Sequence, residues 1–437
     1  MAVRRLHTPL PIYAIDGERT ILYAPGHLAV VSRSEARAVE AALLCERESR
    51  DASSALGRVA RDLRSSAQNA VSSWRARVEA PFAPECLTVS LEFSCNLACA
   101  YCFSSPRGRA ARQSLDERAL DSAARWVAER TAAKSGKRFH LVVAGAGEPT
   151  LRWEMLQRLV ALTRRQAAMA GLGWFGYIAT SGVIPADRAR WLAREFDMVG
   201  VSCDGPPDIQ DRQRPFPGGG SSSAAVEGTA HVLAEAGGRL TVRSTITPET
   251  VERQAEIVAY LHDRLGATRI RFEPVYRVNG FSPDDGAWFA ENFLAARAKA
   301  RELGCELSLS GVRLDEVHGP YCNVLRDVLQ LASDGSVAGC FLRNGAGEGA
   351  DLPPAVGRWD PATGEWLLDM EAIAAHRGRA GRIPDRCQEC LAAYSCARDC
   401  PDVCPVVARA DCPPGFRCQV QRELALAFLL EAAAEAR

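Results

Sequence analysis

The sequence predicts an α/β fold built around a parallel sheet. Between residues 87 and 303, short β-rich runs alternate with longer stretches in which apolar residues recur three or four positions apart. Strands that alternate with helices favour a parallel sheet, either curled into a barrel or open. In both forms, functional residues are expected at the carboxyl ends of the strands. The six runs that we expect to be strands are Leu87–Phe93, His140–Ala144, Trp174–Thr180, Met198–Ser202, Arg239–Ile246 and Arg269–Val275.

The composition indicates a large protein with two or three domains. The chain has 437 residues, of which 47% are hydrophobic, so it can bury sizeable cores. The formal net charge is zero, which predicts no nucleic-acid partner. We expect a cytoplasmic protein without membrane contact, because no apolar stretch is long enough to span a bilayer and residues 1–14 lack the apolar core of a secretory signal. Sixteen cysteines in a reducing compartment indicate metal binding rather than disulfides.

Residues 1–82 are expected to form a small N-terminal α+β module. The runs Ile12–Ile15 and Thr20–Val31 predict a hairpin. One helix should begin at a capping box that spans Ser32–Glu35, and another should run from about Leu56 to Val78. This order resembles the winged-helix peptide-recognition domains attached to many peptide-modifying enzymes, and a plain structural extension is the alternative.

Local capping signals support two predicted helices of the core. Ser114 and Glu117 match a capping box for a helix that covers Asp116–Ala133. The pair Thr247–Pro248 matches an N-cap and a first-turn proline, which predicts a helix over Glu249–Leu265.

Three cysteines directly after the first predicted strand form the most informative motif. Cys95, Cys99 and Cys102 have C-x3-C-x2-C spacing, and no histidine or fourth cysteine follows closely. A [4Fe-4S] cluster normally takes a sulfur ligand on each iron, so three cysteines in one loop leave one iron open to bind another molecule. The alternative is a zinc knuckle or three buried thiols, although structural zinc sites use four ligands.

The strand, the cysteine loop and Tyr101 in the x2 gap together resemble the radical S-adenosylmethionine (SAM) enzymes. The resemblance implies a partial (β/α)6 barrel, whose strand number matches the prediction above, over residues 83–310. It implies that the open iron binds SAM and that SAM is reductively cleaved to a 5′-deoxyadenosyl radical. It also implies a reductant such as flavodoxin or ferredoxin.

Candidate SAM contacts lie in this loop and after the later strands. Gly147–Pro149 matches the GEP motif that meets the amino group of SAM in this family, and glycine lets the backbone approach a ligand closely. Ser202–Arg214 resembles the Ser-x-Asp-Gly-Pro stretch of peptide- and sulfatase-modifying members, in which Arg214 would bind the SAM carboxylate bidentately. Arg243, Glu273 and Arg277 are weaker candidates on or beyond later strands, and an ordinary turn or ion pair is the alternative for each motif. The predicted SAM contacts are Tyr101, Gly147, Glu148, Pro149, Ser181, Ser202, Asp204 and Arg214.

Residues 311–437 carry a second cysteine pattern. It has the form C-x12-G-x4-C, a gap, C-x2-C-x5-C-x3-C, another gap and a last cysteine. This pattern resembles the seven-cysteine SPASM domains, which bind auxiliary iron-sulfur clusters, and a zinc site is the alternative. The resemblance implies one [4Fe-4S] cluster held by Cys387, Cys390, Cys396 and Cys418, and another held by Cys322, Cys340 and Cys400.

The second set again numbers three cysteines, because Val328 stands where some sulfatase maturases have a further one. Either that cluster keeps an open iron, or Asp327, Cys404, Cys412 or another group completes it. With the cluster of the first loop, the total implied by the resemblance is three [4Fe-4S] clusters.

The resemblance implies that the chain oxidatively modifies or crosslinks a ribosomally made precursor peptide, with an electron passing to an auxiliary cluster. Sulfatase maturases usually have Asp directly after the cysteine of G-x4-C, whereas this chain has Phe341, which favours a peptide maturase. The alternatives are a formylglycine-forming enzyme of the sulfatase-maturase type and a SPASM enzyme that acts on a small molecule. A rival of another class is a non-catalytic electron-transfer or scaffold protein that carries clusters.

Overall fold

The computed structural model describes most of the chain. The described residues are 2–44, 54–102, 115–145, 147–276, 280–311, 313–314, 317, 327–341, 355–396 and 415–435. The predictions that concern Ser114, Arg277, Cys322, Cys400, Cys404 and Cys412 therefore lie outside the described residues.

An antiparallel sheet and two helices form the N-terminal part. The strands are β1 Ala2–Arg5, β2 Tyr13–Asp16, β3 Thr20–Ala24 and β4 His27–Val31, in the sheet order β1-β2-β3-β4. Helix α1 (Arg33–Leu44) begins at the predicted capping box, where Ser32 N donates to Glu35 Oε2 at 2.8 Å and Glu35 N donates to Ser32 Oγ at 3.2 Å. Helix α2 (Ala55–Glu79) lies within one residue of the predicted bounds at each end. These elements enclose a hydrophobic core of their own, which includes Ile12, Leu22, Val39 and Leu63.

A large mixed sheet forms the main part of the described structure. Its strands are β5 Cys86–Val89, β6 Arg138–Val143, β7 Gly173–Thr180, β8 Met198–Ser202, β9 Leu240–Ile246, β10 Arg269–Pro274, β11 Glu306–Leu309, β12 Val328–Leu331, β13 Ser336–Ala338, β14 Ala355–Asp360 and β15 Glu365–Leu368. The sheet order is β11-β10-β9-β8-β7-β6-β5-β12-β13-β14-β15. Neighbours from β11 to β12 are parallel, and the pairs from β12 to β15 are antiparallel.

Helices connect the parallel strands and continue beyond them. They are α3 Glu117–Ala133, α4 Trp153–Met169, α5 Ala186–Glu195, α6 Pro207–Gln213, α7 Ser223–Glu235, α8 Gln254–Leu265, α9 Gly286–Glu302, α10 Met370–Gly381, α11 Asp385–Gln388 and α12 Phe416–Glu435.

The predicted fold class is confirmed, and all six predicted strands form. The first strand ends at Val89 rather than at Phe93. Its end is followed by a turn in which Glu92 Oε1 accepts hydrogen bonds from Phe93 N at 2.7 Å and Ser94 N at 3.0 Å. Strands β11 and β12, which extend the six on both sides, were not predicted.

The predicted starts of two core helices need correction. Helix α3 begins at Glu117, but its cap is Asp116, whose Oδ1 accepts from Arg118 N at 2.8 Å. The prediction that Thr247 caps a helix starting at Glu249 is wrong. Thr247 N donates to the Thr250 side chain and Thr250 N to the Thr247 carbonyl, both at 3.0 Å, so residues 247–250 close a turn first. A short 3-10 turn then precedes α8.

The two faces of the parallel sheet differ in polarity. On β9 and β10, Val242, Ile246, Ile270 and Phe272 are buried and belong to the core formed with the helices. Side chains of a strand alternate between the two faces, so Arg243, Thr245, Arg271 and Glu273 lie on the opposite face. We call this opposite face of β8 to β11 the polar face. The candidate site lies at the carboxyl ends of the parallel strands.

Candidate functional site

The three-cysteine loop follows β5 and is hydrogen-bonded to the C-terminal end of α6 and the residues just after it. Ala98 N donates to the Pro215 carbonyl at 2.8 Å, and Ala100 N donates to the Gln213 carbonyl at 2.9 Å. Within the loop, Cys102 N donates to the Cys99 carbonyl at 3.1 Å. These bonds hold the backbone of the loop against the end of α6, which follows β8, the third strand after β5.

The cysteines of this loop are half-buried thiols in the described structure. Burial raises the pKa of Cys95 to about 11. Burial also raises the pKa of Cys99, and the nearby Arg214 guanidinium opposes that rise. Because a metal binds the thiolate, cluster assembly in this loop has to release these protons.

The GEP turn passes directly behind the cysteine loop. Gly147 has φ of +69°, and an added Cβ would overlap the Glu92 carbonyl and lie 2.6 Å from the Ser94 carbonyl. Glu148 N donates to that same Ser94 carbonyl at 2.9 Å. Only glycine allows this approach. The predicted GEP motif therefore contacts Ser94, the residue directly before Cys95.

The carboxylate of Glu148 is a structural anchor of this turn. The side chain is buried, and its Oε1 accepts from Thr150 N at 3.1 Å, Thr150 Oγ1 at 2.6 Å and Thr180 Oγ1 at 3.0 Å. Its Oε2 accepts from Ser181 N at 2.6 Å. Because neutral donors occupy both oxygens, a ligand ammonium would be received by backbone carbonyls of the turn rather than by this side chain.

Ser181 and Asn96 join the cysteine loop to the end of β7. Ser181 Oγ donates to Asn96 Oδ1 at 3.0 Å, and Asn96 Nδ2 donates to the Val183 carbonyl at 2.7 Å. The structure thus brings Ser181, a predicted SAM contact, next to the loop. Asn96 was missed in the sequence, although its position between the first two cysteines of the motif marked it as a loop residue.

Asp204 lies at the centre of a buried polar network. Its Oδ2 accepts from Tyr101 OH at 2.5 Å and Gln213 Nε2 at 2.8 Å, and its Oδ1 accepts from Thr245 N at 2.8 Å. Arg214 Nε lies 3.0 Å from the same Oδ2, forming an ion pair that is almost fully buried. The structure therefore brings together Tyr101, Asp204 and Arg214, three of the predicted SAM contacts.

The same network reaches a cysteine. Arg214 Nη1 lies 4.0 Å from Cys99 Sγ, and its guanidinium stacks 5.3 Å from the centre of the Tyr101 ring. Burial opposes charge on Arg214, but Asp204 and Tyr101 raise the pKa of Arg214 well above its ordinary value, so it stays cationic. A positive charge thus lies beside the sulfur of the middle cysteine.

Ser202 lies apart from this network. It ends β8 on the polar face, in register with Arg243 of β9. On β10, which is two strands from β8 in the sheet, Glu273 is buried, and its Oε1 accepts from Arg271 Nε at 2.8 Å and from Ser310 Oγ. Burial alone would raise the pKa of Glu273, but Arg243, Arg271 and Arg417 outweigh it and lower that pKa.

The described C-terminal cysteines lie in the turn around α11, beside or on α12, and just after β13. Cys387 and Cys390 share one turn around α11, with Cys390 N donating to the Cys387 carbonyl at 3.0 Å. Cys396 Sγ contacts the Gln421 side chain on α12, the helix that carries Cys418. Cys340 is buried just after β13. The predicted ligands Cys322 and Cys400 lie outside the described residues.

The turn that carries Cys387 and Cys390 is held by the N-terminal sheet. The Gln388 carbonyl accepts from Arg5 Nη1 at 2.9 Å and from Tyr13 OH at 3.3 Å. Trp74 of α2 packs edge-on against Tyr394, with ring centres 6.1 Å apart. We call the contacts of Arg5 and Tyr13 with Gln388 the terminal clamp.

Known proteins resemble this chain in sequence and in fold. Residues 91–261 match the model of the Radical SAM superfamily, and this segment contains the cysteine loop and the GEP turn. The chain contains a radical SAM domain. Mycofactocin maturase MftC of Mycobacterium ulcerans (strain Agy99) is 29% identical over 194 residues, 43% of this chain. The matched region spans 46% of the length of that relative, which is about half of it.

Solved structures match the radical SAM domain and extend beyond it. The structure of anSMEcpe with bound S-adenosylmethionine has a TM-score of 0.62 at 19% identity, covering 80% of this chain and 100% of that one. SuiB of Streptococcus suis, bound to the precursor peptide SuiA, has a TM-score of 0.54 at 14% identity and covers 92% of this chain and 96% of that one. At these identities the likeness concerns the fold.

The residues of the radical SAM domain fit an iron-sulfur cluster. The loop offers three thiols, and the glycine turn behind it leaves no room for a side chain. Among the described residues, no three His, Cys, Asp or Glu side chains converge as ligands of a single metal ion. In a [4Fe-4S] cube each thiolate binds a different iron, so such a cluster does not require that convergence.

Among the described residues, no helix is both long enough and apolar enough to cross a bilayer.

Proposed function

We propose that this chain is a radical SAM peptide maturase of the SPASM subgroup. It would generate a 5′-deoxyadenosyl radical, remove a hydrogen atom from a ribosomally made precursor peptide, and oxidatively modify or crosslink that peptide. The observation that carries the proposal is the three-cysteine loop fastened between the GEP turn and the Asp204 network. It would work in the cytoplasm and take electrons from a flavodoxin or ferredoxin.

Three [4Fe-4S] clusters and SAM would be the cofactors of this chain. Cys95, Cys99 and Cys102 would hold the cluster that binds SAM, and the C-terminal cysteines would hold two more. When bound, SAM and a reduced cluster supply the carbon-centred radical that removes hydrogen from a substrate. Anaerobically purified protein should then contain about twelve iron atoms per chain.

The protein's own residues have separable tasks in this proposal. Backbone carbonyls of the GEP turn would receive the ammonium group of SAM, since neutral donors already occupy both carboxylate oxygens of Glu148. Arg214 would place a positive charge beside Cys99 and the SAM carboxylate, and Asp204 and Tyr101 would hold Arg214 in that position. Ser181 would keep the cysteine loop aligned through Asn96.

A peptide substrate is favoured over a sulfatase by the residue after Cys340. Phe341 occupies the position where the aspartate of sulfatase maturases usually stands, and it is 36% exposed. An apolar side chain there cannot serve as a general base. The precursor peptide SuiA that is bound to SuiB agrees with this choice of substrate class.

Reduction with dithionite in the presence of SAM tests the first half of the proposal. The reconstituted protein should release 5′-deoxyadenosine, measured by liquid chromatography. Cys99→Ala should abolish that release. Cys305→Ala changes a cysteine that directly precedes β11 and contacts the Ala267 carbonyl, so it should not affect the release. An electron-transfer protein would release no 5′-deoxyadenosine.

Mass spectrometry of candidate substrates tests the second half. A precursor peptide encoded beside this gene should lose two hydrogen atoms, about 2 Da, on incubation with the enzyme, SAM and reductant. Conversion of a sulfatase-derived peptide to formylglycine, with the precursor peptide left unchanged, would contradict the peptide-maturase assignment.

A further inference from the structure

A charged pair of side chains joins the segment before Cys95 to the turn that follows the GEP motif. Glu92 Oε2 lies 2.9 Å from Arg152 Nε. Glu92 comes three residues before Cys95, and Arg152 ends the 3-10 turn Pro149–Arg152, which begins inside the GEP motif. In the part of the chain that the structure describes, neither side chain has a second ion-pair partner. The pair therefore links two segments that the proposed function uses together.

The carboxylate of Glu92 is held by three contacts. Its Oε1 accepts from Phe93 N at 2.7 Å and from Ser94 N at 3.0 Å, and its Oε2 faces Arg152. The Glu92 side chain is 10% exposed and that of Arg152 is 40% exposed, so the pair is partly screened from solvent. An ionised carboxylate forms strong hydrogen bonds, and its two oxygens can hold different partners at once. Glu92 thus fixes the backbone that leads directly into Cys95.

The same segment has another attachment to the GEP turn. Glu148 N donates to the Ser94 carbonyl at 2.9 Å, and Gly147 closely approaches the carbonyls of Glu92 and Ser94. A single hydrogen bond would allow the segment to pivot about that bond. The ion pair lies two residues before Ser94 on one segment and four residues after Glu148 on the other, so it removes this freedom.

We propose that Glu92 and Arg152 are positioning residues that fix the orientation of Cys95 relative to the GEP turn. The inference rests on the proposed function, in which Cys95 holds the cluster and carbonyls of the GEP turn receive the ammonium group of SAM. Because both places contact the same SAM molecule, their separation and orientation decide how tightly it binds. Glu92 and Arg152 act through the backbone of residues 92–95 and do not touch SAM.

Two substitutions remove the ion pair and leave the backbone contacts in place. Glu92→Gln keeps an oxygen for Phe93 N and Ser94 N, but it turns an NH2 group towards Arg152 Nε, so that two donors face each other. Arg152→Met keeps an apolar stem and removes the charge. Arg152→Lys keeps the charge and is the conservative variant.

Arg158→Met is the matched control for the loss of an arginine. Arg158 lies on α4, the helix that begins directly after Arg152. Its guanidinium pairs with Glu117 of α3 and not with the segment before Cys95. The control therefore breaks an ion pair between two elements close to the site without touching the attachment of the cysteine loop.

Binding of SAM to the anaerobically reconstituted full-length protein tests the proposal, with equilibrium dialysis as the measurement. Glu92→Gln and Arg152→Met should each weaken SAM binding about tenfold, as loss of an outer-shell partner of a metal site does. Both variants should bind as much iron as the wild type. Arg152→Lys should recover most of the affinity, and Arg158→Met should bind SAM like the wild type.

The double variant shows whether the two residues act as a unit. If they do, Glu92→Gln combined with Arg152→Met should weaken SAM binding no more than either change alone. Additive losses, or wild-type affinity in both single variants, would overturn the proposal. Loss of iron in step with the loss of affinity would also overturn it, because the pair would then support the cluster rather than orient Cys95.

Amide hydrogen exchange of the apoprotein, measured by mass spectrometry, needs neither cluster nor SAM. Arg152→Met should raise exchange in residues 92–96, where one of the two attachments is lost, and Arg158→Met should not. Unchanged exchange in Arg152→Met would overturn the attachment and with it the proposal. A protein whose variants exchange as expected, but whose wild type binds no iron, would contradict the proposed function instead. The two failures are therefore distinguishable.

Discussion

At the scale of single residues, the glycine of the GEP turn sets how closely two loops approach. We expect Gly147→Ala to lower the apparent melting temperature of the apoprotein, because the new Cβ would overlap backbone carbonyls of the segment before Cys95. The positive φ alone costs about 1 kcal/mol for a non-glycine residue. The overlap adds to that cost, and it should also lower the iron bound after reconstitution.

Gly171 provides a matched control for this change. Its φ of +70° nearly equals that of Gly147, and nothing lies within 4 Å of an added Cβ. Gly171→Ala should therefore show the conformational cost alone and bind iron as the wild type does. Equal melting temperatures for the two variants would contradict a steric role for Gly147.

The buried ion pair of Asp204 and Arg214 gives a second prediction for single residues. Asp204→Asn should destabilise the protein by about 3–5 kcal/mol, because it leaves the Arg214 charge buried without a counterion. Urea unfolding followed by circular dichroism measures this change. Asp208→Asn removes an exposed partner of Arg253 and should cost less than about 1 kcal/mol.

The sequence identified Asp204 and Arg214 as candidate site residues but did not predict that they contact each other. The Ser-x-Asp-Gly-Pro stretch marked Asp204 and Arg214 as separate ligand contacts. In the structure one buried carboxylate joins Tyr101, Arg214 and Thr245, which come from three distant segments. Such a network depends on which strand ends meet, and a local motif does not contain that information.

At the scale of elements, α12 is joined to the end of β10 through one arginine. Arg417 Nη2 donates to the Pro274 carbonyl at 3.2 Å, and its Nη1 faces Glu273. Arg417→Gln should raise amide hydrogen exchange in residues 416–435 and 270–276, measured by mass spectrometry. Arg422→Gln, which changes an exposed arginine one turn further along α12, should leave exchange unchanged.

The same junction should respond to acid. The pKa of Glu273 is lowered below its ordinary value of 4.5, because its three arginines outweigh the effect of burial. Its ionised form therefore stabilises the fold above pH 4.5, and this stability is lost as the pH falls further through the lowered pKa. Glu273→Gln should be less stable than the wild type at pH 7 in urea unfolding, and the difference should shrink below pH 4.5. A difference independent of pH would contradict this account.

Elements differed in how well the sequence predicted them. The six core strands are continuous β-rich runs, so their local pattern was sufficient. Strands β11 and β12 have only four residues each, and their local sequence does not predict a strand. They are stabilised by pairing with β10 and β5, which are distant in the sequence. The start of α8 was misplaced because Thr250, rather than Thr247, supplies the side chain that closes the turn.

At the scale of the whole molecule, the terminal clamp joins the first two strands to the turn that carries Cys387 and Cys390. Arg5→Gln should increase the rate at which iodoacetamide alkylates Cys390 in the apoprotein, because the turn loses a donor to the Gln388 carbonyl. Peptide mass spectrometry measures this rate. Arg19→Gln, which removes a bond to Val30 within the N-terminal sheet, should not change it.

The terminal clamp limits how freely this protein could be recombined with its relatives. A chimera that exchanged residues 1–82 for the equivalent segment of another enzyme would discard Arg5, Tyr13 and Trp74 together. The exchanged segment would then lack the side chains that contact Gln388 and Tyr394. Successful transplants should need residues 385–396 from the same donor, so that both halves of the junction travel as one unit.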